Sequence, residues 1–446
     1  MYVAKPPSMQ ALWKKTPTDR YMTIYSGIGH LSNAEYLHWD KLRHLDPPDD
    51  LTHEEWWLGL KMARGPILRQ LPLTSPDQQP FTFALPDAVL RLLHFVDQRS
   101  SGEIAMPEVV TADDQARQHY LVNSLMEEAI RSSQLEGATT SRRVAKELLQ
   151  SGRPPANRSE RMIVNNYHAS QYMRDSLGDR LTPKNILAMQ RILTEGTLDN
   201  PDAAGRLQTT DDDRVAVFDR TTGELIHQPP PAEQLPERLQ QMCDFANQSE
   251  GDTSFIHPVI RSILLHFWLA YDHPFEDGNG RTARLLFYWS MRKHGYWLTE
   301  YLSISRILRQ GPTKYTRSFL LTETDDLDAT YFILYQLEVM QRAIHELHGY
   351  LKRKVNEIRK VEQALRGAEH LNHRQLALLS DAIRRPGKAY TPRSHAATHN
   401  VTEETARTDL LHLWRRALLS RRKAGRRYIF EAPSNLGALV TAAQHA

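Results

Sequence analysis

Apolar residues recur at helical spacing over most of this chain, and strand-like alternation is confined to short stretches. SILLHFWLAYDH (262–273) and TARLLFYWSMRKHG (282–295) carry the helical period on either side of a glycine-rich break, and the second ends in a basic turn and a Gly stop. That spacing predicts two helices joined by a tight turn. Upstream, NAEYLHWDKLRHL and LTHEEWWLGLKMARGPIL predict two more, the second capped by Thr52 with Glu54 and Glu55 in its first turn. Trp39, Trp56 and Trp57 fall at helical spacing there, which reads as core packing rather than a ligand platform. LPLTSPDQQPFTF (71–83) is rich in turn formers and predicts a loop or short hairpin, and AVLRLLHFVDQ (88–98) predicts a helix. QARQHYLVNSLMEEAIRSSQLEG (115–137) places Leu121, Leu125 and Ile130 on one stripe and ends at Gly137, a residue suited to a helix C-terminus.

Further along, Val215, Val217, Leu225 and His227 alternate around Thr222-Gly223 and predict a short β-hairpin. A long charged helix is expected over 342–367, then helices over 371–385 and 401–419 on either side of a Pro-Gly break. Arg421 to Phe430 predicts a small β-wing. The expected architecture is mainly α: an N-terminal helical extension (1–110), a helical core with one β-hairpin (111–345), a helical linker (346–370) and a winged helix-turn-helix (371–446). In that last segment Thr402 caps a helix whose partner begins near Asn372, and Thr405-Ala406-x-x-Asp409-Leu410 precedes the basic hairpin.

The break between the two apolar helices carries the chemistry. Residues 273–284 read His-Pro-Phe-Glu-Asp-Gly-Asn-Gly-Arg-Thr-Ala-Arg. They bring together a titratable base (His273), an acidic metal ligand (Asp277), glycines around an asparagine (Gly278, Asn279, Gly280) and two arginines (Arg281, Arg284). Glycines at the start of a helix free backbone N–H groups to face an anion, so base, magnesium ligand and phosphate cradle sit in one turn. A bare Asp-Gly-Asn-Gly is commonly just a turn. Here the flanking helices, the histidine and the paired arginines all point to phosphate-ester chemistry. The Walker A pattern GxxxxGK(S/T) is absent.

This run matches, without a gap, the signature HxFx(D/E)GNGRxxR, and the chain resembles the Fic family, whose members mostly transfer AMP from ATP to protein hydroxyls. The resemblance covers roughly 120–340. Ser132-Ser133-Gln134-Leu135-Glu136-Gly137 is similar to the family's autoinhibitory (S/T)xxxE(G/N) motif. Gly205 to Pro231 resembles its target-docking flap, and Tyr315 to Phe332 its closing helices. The fold thereby implied is a Fic-type helical core with a hairpin flap.

The resemblance also implies roles. His273 is the general base for an incoming Ser, Thr or Tyr hydroxyl, and Asp277 holds Mg²⁺. Gly278, Asn279 and Gly280 stabilise the α-phosphate, Asn279 as a catalytic donor. Arg281 clamps the β-phosphate and Arg284 the γ-phosphate, unless Glu136 occupies Arg284. Phe275 buries itself to steady the loop. ATP is then the substrate, with a protein bearing a hydroxyl side chain as acceptor. The alternatives are AMP removal at the same site and a DNA-binding regulator whose Fic core only senses ATP. Whether Glu136 acts within one chain or across a homodimer is left open.

Composition adds three points. Between 371 and 431 there are 13 Lys and Arg against 5 Asp and Glu, so a basic C-terminal segment joins an acidic body and raises DNA as a partner. Apolar stretches fall short of a membrane span, no signal peptide is evident, and the lone Cys243 fits a reducing compartment, so cytoplasm is expected and no membrane partner. His257, His266 and His273 lack Cys or carboxylate at zinc-ligand spacing, and His266 reads as a hydrogen-bonded core residue.

Overall fold

The computed structural model describes residues 3–28, 35–48, 50–100, 114–212, 214, 217–218, 225–248, 255–366, 371–384, 388–424, 427–433, 435–436 and 439–440. Val215, the Thr222-Gly223 turn and the Pro386-Gly387 break lie outside the described residues. The fold is mainly helical with small antiparallel sheets, as the periodicity predicts. The chain divides into two compact units, 1–104 with 124–344 and 105–123 with 345–446.

The first unit opens with α1 (Met9–Lys15), α2 (Arg20–Ile28), α3 (Trp39–Leu42) and α4 (His53–Arg64). Thr52 caps α4 in a capping box with Glu55, and Trp57 is wholly buried with Trp56 and Trp39 in the same cluster, the core role expected of the tryptophans. The turn-rich stretch over 71–83 resolves as a hairpin of β1 (Arg69–Thr74) and β2 (Pro80–Phe83), followed by α5 (Asp87–Ser100). Next come α6 (Asp114–Leu135), which contributes to both units, α7 (Arg142–Ser151), α8 (Arg158–Asp175) and α9 (Pro183–Thr194). The sequence analysis assigns no helix to the stretches of α7 to α9. Their starts are nevertheless marked by Ser141, Asn157 and Thr182, whose side-chain oxygens each accept an N–H from the first turn. A two-stranded hairpin of β3 (Val217–Phe218) and β4 (Leu225–His227) leads to α10 (Leu235–Asn247).

The centre of this unit is the pair α11 (Pro258–Asp272) and α12 (Asn279–Lys293). Every residue from Val259 to Leu269 in α11 and from Arg281 to Met291 in α12 is buried, as expected of helices that are core on all sides. α8, α9 and α10 pack around them. The N-terminal hairpin braces the end of α11: the Phe81 ring lies 5.4 Å from Phe267 and 4.9 Å from Tyr271. α13 (Ile304–Gln310), α14 (Pro312–Thr324) and α15 (Thr330–Arg366) complete the sequence of helices, α15 starting well before the charged stretch that predicted it.

The second unit holds α16 (His373–Arg384), β5 (Ala389–Tyr390), α17 (Pro392–His399), α18 (Glu403–Arg415), β6 (Ser420–Ala424) and β7 (Arg427–Glu431). Its three strands run in the order β5-β7-β6. The short, polar α17 and β5 have no periodicity to announce them and were not anticipated. Thr402 caps α18 as expected. Leu378, Leu379, Leu410, Leu413 and Phe430 form the core. Asp409, 3% exposed, is its polar tie: it accepts from Arg374 (2.7 Å), Asn372 (2.8 Å) and Gln375 (3.1 Å) and meets His395 of α17 at 3.4 Å.

Burial opposes ionisation of Asp409, but the bonds from Arg374 and Asn372 outweigh it and hold its pKa below the usual value. A carboxylate depressed in the folded state stabilises above its unfolded pKa and loses that contribution as pH falls through the lower, folded one. Asp409→Ala is therefore expected to cost this unit about 2–3 kcal/mol at neutral pH, with the deficit fading in acid below the usual carboxylate range. Hydrogen exchange of the 371–431 amides, compared with wild type at neutral and at acid pH, checks this.

Candidate active site

α11 ends at Asp272, and the chain must reverse within residues 273–278 between two helices that are buried on all sides. His273 takes the left-handed conformation (φ 46°, ψ 55°) as the C-cap, its N–H donating to Leu269 O at 3.1 Å. Left-handed geometry is costly for a residue with a Cβ and persists where the surroundings hold it. Phe275 is fully buried beneath the turn, as expected. Asn279 closes the turn from the other side: its Oδ1 accepts from Phe275 N (2.9 Å) and its Nδ2 donates to Phe275 O (2.7 Å). Gly278 (φ +88°) supplies the sharp entry to α12, where a Cβ would come within 3.0 Å of Thr194 Cγ2.

Asp277 sits at the lip of the turn. Its Oδ1 accepts from Gly278 N (2.5 Å) and Arg281 Nη2 (2.9 Å), and its carbonyl accepts from Gln190 Nε2 (3.0 Å). Among the described residues its second carboxylate oxygen has no protein donor. No cluster of three or more His, Cys, Asp or Glu side chains among them could cage a metal. A lone, part-exposed carboxylate suits magnesium, which retains waters and substrate oxygens, better than zinc or calcium. Arg281 is itself wholly buried and also donates to Leu193 O at 3.1 Å.

The first-turn N–H groups of α12, from Asn279 to Arg281, have no acceptor within their own helix and form an anion-binding end. The Glu136 carboxylate, at the C-terminal end of α6, now lies over it. Glu136 Oε1 accepts from Arg284 Nη2 at 2.8 Å, within the same chain, and a Cβ on Gly280 would stand 2.2 Å from that oxygen. Arg284 is 1% exposed and donates to Ser132 Oγ (2.9 Å) and Ser132 O (3.2 Å) as well. Its Nη1 is buried with no hydrogen-bond partner among the described residues. Burial disfavours its charge, yet Glu136 more than compensates and its pKa is raised. Glu128, two turns earlier on α6, is buried against Ser303 and Ser305, and its pKa is raised by that burial.

His273 is exposed at the surface, but its inner edge is withdrawn from water. That desolvation, followed by the neighbouring His227, lowers its pKa from the ordinary 6.5, so the ring is a neutral base at physiological pH. His266 proves to be a core residue: it is fully buried, bonded to Tyr315 OH at 2.8 Å, and pushed down to about 3 by burial and then by Arg284. All the residues singled out from the signature thus gather at one turn, with Glu136 against them. Ser132, the first residue of the motif that ends in Glu136-Gly137, holds Arg284. Two further contributors carry no signature in the sequence: Gln190 bridges Asp277 O and Gly205 N (2.6 Å), and Arg238, with Trp268 from the preceding turn, fixes the buried Asp272 beside His273. Gln190 and Arg238 act across distances in sequence that periodicity does not register.

Gly280→Ala is expected to drive the flexible end of Glu136 off Arg284, at a cost on the order of 1–3 kcal/mol. With Glu136→Gly already present, the same change should be neutral or slightly stabilising, because Ala outranks Gly inside a helix. Denaturant unfolding of the double-mutant cycle checks this; a coupling near zero would refute the contact.

The Fic/DOC family model matches residues 180–291. Over 169 residues the chain is 32% identical to protein adenylyltransferase fic-1 of Caenorhabditis elegans, spanning 36% of this chain and 30% of that protein. It is 39% identical over 87 residues to protein adenylyltransferase Fic of Nematostella vectensis, spanning 20% of this chain and 18% of the relative. The chain therefore matches less than a third of the length of these curated relatives. A solved Fic family protein from Desulfovibrio desulfuricans G20 shares the fold, with a TM-score of 0.50 and 19% identity over 78% of this chain and 96% of that one. Residues 180–291, which hold α9, the β3–β4 hairpin, α10, α11, the His273–Gly278 turn and most of α12, are a Fic domain.

Proposed function

We propose that this protein is an adenylyltransferase that moves AMP from ATP to a Ser, Thr or Tyr hydroxyl of a target protein and is held off by Glu136. The observation that carries this reading is the Glu136–Arg284 pair at 2.8 Å, laid across the open end of α12 beside the His273 turn. A carboxylate there occupies both a buried guanidinium and the space a triphosphate needs. Once Glu136 withdraws, Arg284 offers the γ-phosphate a buried, fully charged partner. Gly278, Gly280 and the backbone of Asn279 face the α-phosphate, with Asn279's side chain locking the turn, and Arg281 acts on the β-phosphate from beneath it. Asp277 would hold Mg²⁺, whose charge screens the phosphate oxygens.

His273 takes the hydroxyl proton as the hydroxyl oxygen bonds to the α-phosphorus. The bond to the β-phosphate oxygen breaks, pyrophosphate leaves, and AMP stays on the target. AMP removal would draw on the same residues with Glu136 positioning a water: its oxygen bonds to the phosphorus, the bond to the target hydroxyl oxygen breaks, and AMP leaves. The β3–β4 hairpin is proposed as the flap that aligns the target main chain by strand addition. Among the described residues no helix is long and apolar enough to cross a membrane, and a cytoplasmic setting is proposed with Cys243 buried as a free thiol.

For the 371–446 segment we propose a winged helix-turn-helix that binds DNA. The supporting observation is the β6–β7 hairpin: Arg421 is held between the rings of Trp414 (3.9 Å) and Tyr428 (4.5 Å), with exposed Lys423 two residues on. A guanidinium preorganised between two rings, on a strand with a second cation, suits phosphate contacts. Exposed Arg393, Arg415 and Arg416 add charge, and four of the five carboxylates, Asp381, Glu404, Asp409 and Glu431, are engaged within the unit.

ATP labelled on its α-phosphate, incubated with Mg²⁺ and cell lysate, should leave protein-bound label with Glu136→Gly. Little is expected with wild type and none with Glu136→Gly/His273→Ala. Absence of label with folded, ATP-binding Glu136→Gly protein overturns the assignment. For the second module, the full chain should bind a labelled duplex with affinity that falls steeply between about 50 and 200 mM salt, and Arg421→Ala should lower the salt slope by about one. No binding at the lower salt removes the DNA reading.

A further inference from the structure

The end of α11 has a problem that its own helix cannot solve. A helix leaves its last carbonyls without N–H partners, and here they are packed inside the protein just where His273 must be presented. The partners come from the flap region. Tyr271 O accepts from His227 Nε2 at 2.9 Å, Asp272 O from Arg214 Nη2 at 2.9 Å, and Pro274 O from Gln208 N at 2.9 Å. These three carbonyls surround His273 on both sides in sequence. The donors are tied to one another and to the helices: Arg214 Nη1 donates to Gln208 Oε1 (3.1 Å), and His227 Nδ1 meets Glu323 Oε2 of α14 at 2.9 Å. The His227 ring also stands edge-on to the Tyr271 ring, with centroids 4.8 Å apart.

We infer that His227 and Arg214 are positioning residues for His273: flap side chains that cap the C-terminal carbonyls of α11, hold His273 in its left-handed conformation, and so tie presentation of the base to placement of the flap. The chemistry of His227 supports this. One nitrogen faces the Glu323 carboxylate and the other the Tyr271 carbonyl, so the ring is held from both sides. The Arg214 cation at the helix C-terminus is favoured by the helix dipole as well. Burial and these two neighbours act on His273 in the same sense, keeping its own ring neutral and ready to take a proton; both His227 and Arg214 contribute to its lowered pKa. The other charged groups in this neighbourhood are Glu136 from the end of α6, Asp272 bound to Arg238, and Glu323 behind His227.

This inference rests on His273 being the base of the proposed transfer, and its test does not need that transfer to occur. Ring-nitrogen NMR of ¹⁵N-histidine-labelled full-length protein reads each imidazole directly, with assignments from single substitutions. His273 is expected to carry a proton on one nitrogen only at pH 7. His227→Gln and, independently, Arg214→Met should each raise the His273 titration midpoint by at least about half a pH unit while the melting temperature stays close to wild type. Arg214→Lys should retain most of the effect. In a Glu136→Gly background, His227→Gln should lower the rate of label transfer at saturating ATP at least about tenfold, with KM for ATP within about twofold of its parent. An unmoved His273 midpoint in both variants, in protein that melts normally, overturns the inference. A moved midpoint with no transfer by Glu136→Gly leaves the positioning role standing and removes the adenylyltransferase reading instead.

Discussion

The structure turns on a steric and hydrogen-bonding constraint at one reversal. Two helices buried on every side, α11 and α12, must be joined by residues 273–278, and the backbone groups exposed by ending one helix and starting the next are packed within the protein. Unpaired, each buried group would cost about 1–3 kcal/mol. The solution is local where it can be. Asn279 reaches back to both backbone groups of Phe275, Phe275 fills the space beneath, and Gly278 takes the one conformation that lets α12 begin at once. The same closure presents the histidine, the aspartate and the open N–H groups on one rim. The turn's chemistry is therefore a by-product of how it satisfies itself.

Around that rim, charge balance is set from further away. Arg284 lies in a fully buried position that a lone cation would not tolerate. It is supported by Ser132 and Glu136 on the last turn of α6 and its end, with Glu128 further back on the same helix. α6 is thus both the lid over the anion-binding end of α12 and part of the reason the arginine can remain charged there. Glu128 keeps a share of that compensation whether or not Glu136 is in place, since its own anchors are Ser303 and Ser305. The N-terminal helices and hairpin, whose role was blank in sequence, contribute by bracing: Phe81 packs on the last turns of α11, and Thr74 O accepts from the Arg238 that holds Asp272.

Much of this was legible in advance, and for identifiable reasons. The α11 and α12 helices follow from apolar periodicity, the capped start of α4 from Thr52 and Glu55, and the tight turn between α11 and α12 from its glycines and asparagine. His266 as a core histidine and the tryptophans as packing also follow, because burial is the default for aromatic rings at helical spacing. What the sequence does not announce is short or polar: α17, β5 and the polar helices α7 and α8, though the caps of α7 to α9 are clear.

The sequence by itself determined the helical class, the position of the turn and the set of chemical groups on it, because those depend on local periodicity and on residues adjacent in the chain. Only the tertiary structure decided which distant residues complete the site. The Glu136–Arg284 contact across 148 positions is one that the resemblance of the two motifs already implied, whereas His227 reaches Tyr271 O across 44 positions and Arg214 reaches Asp272 O across 58. Those last two contacts satisfy orphaned carbonyls that exist only once the helices have packed, so no local pattern could have written them.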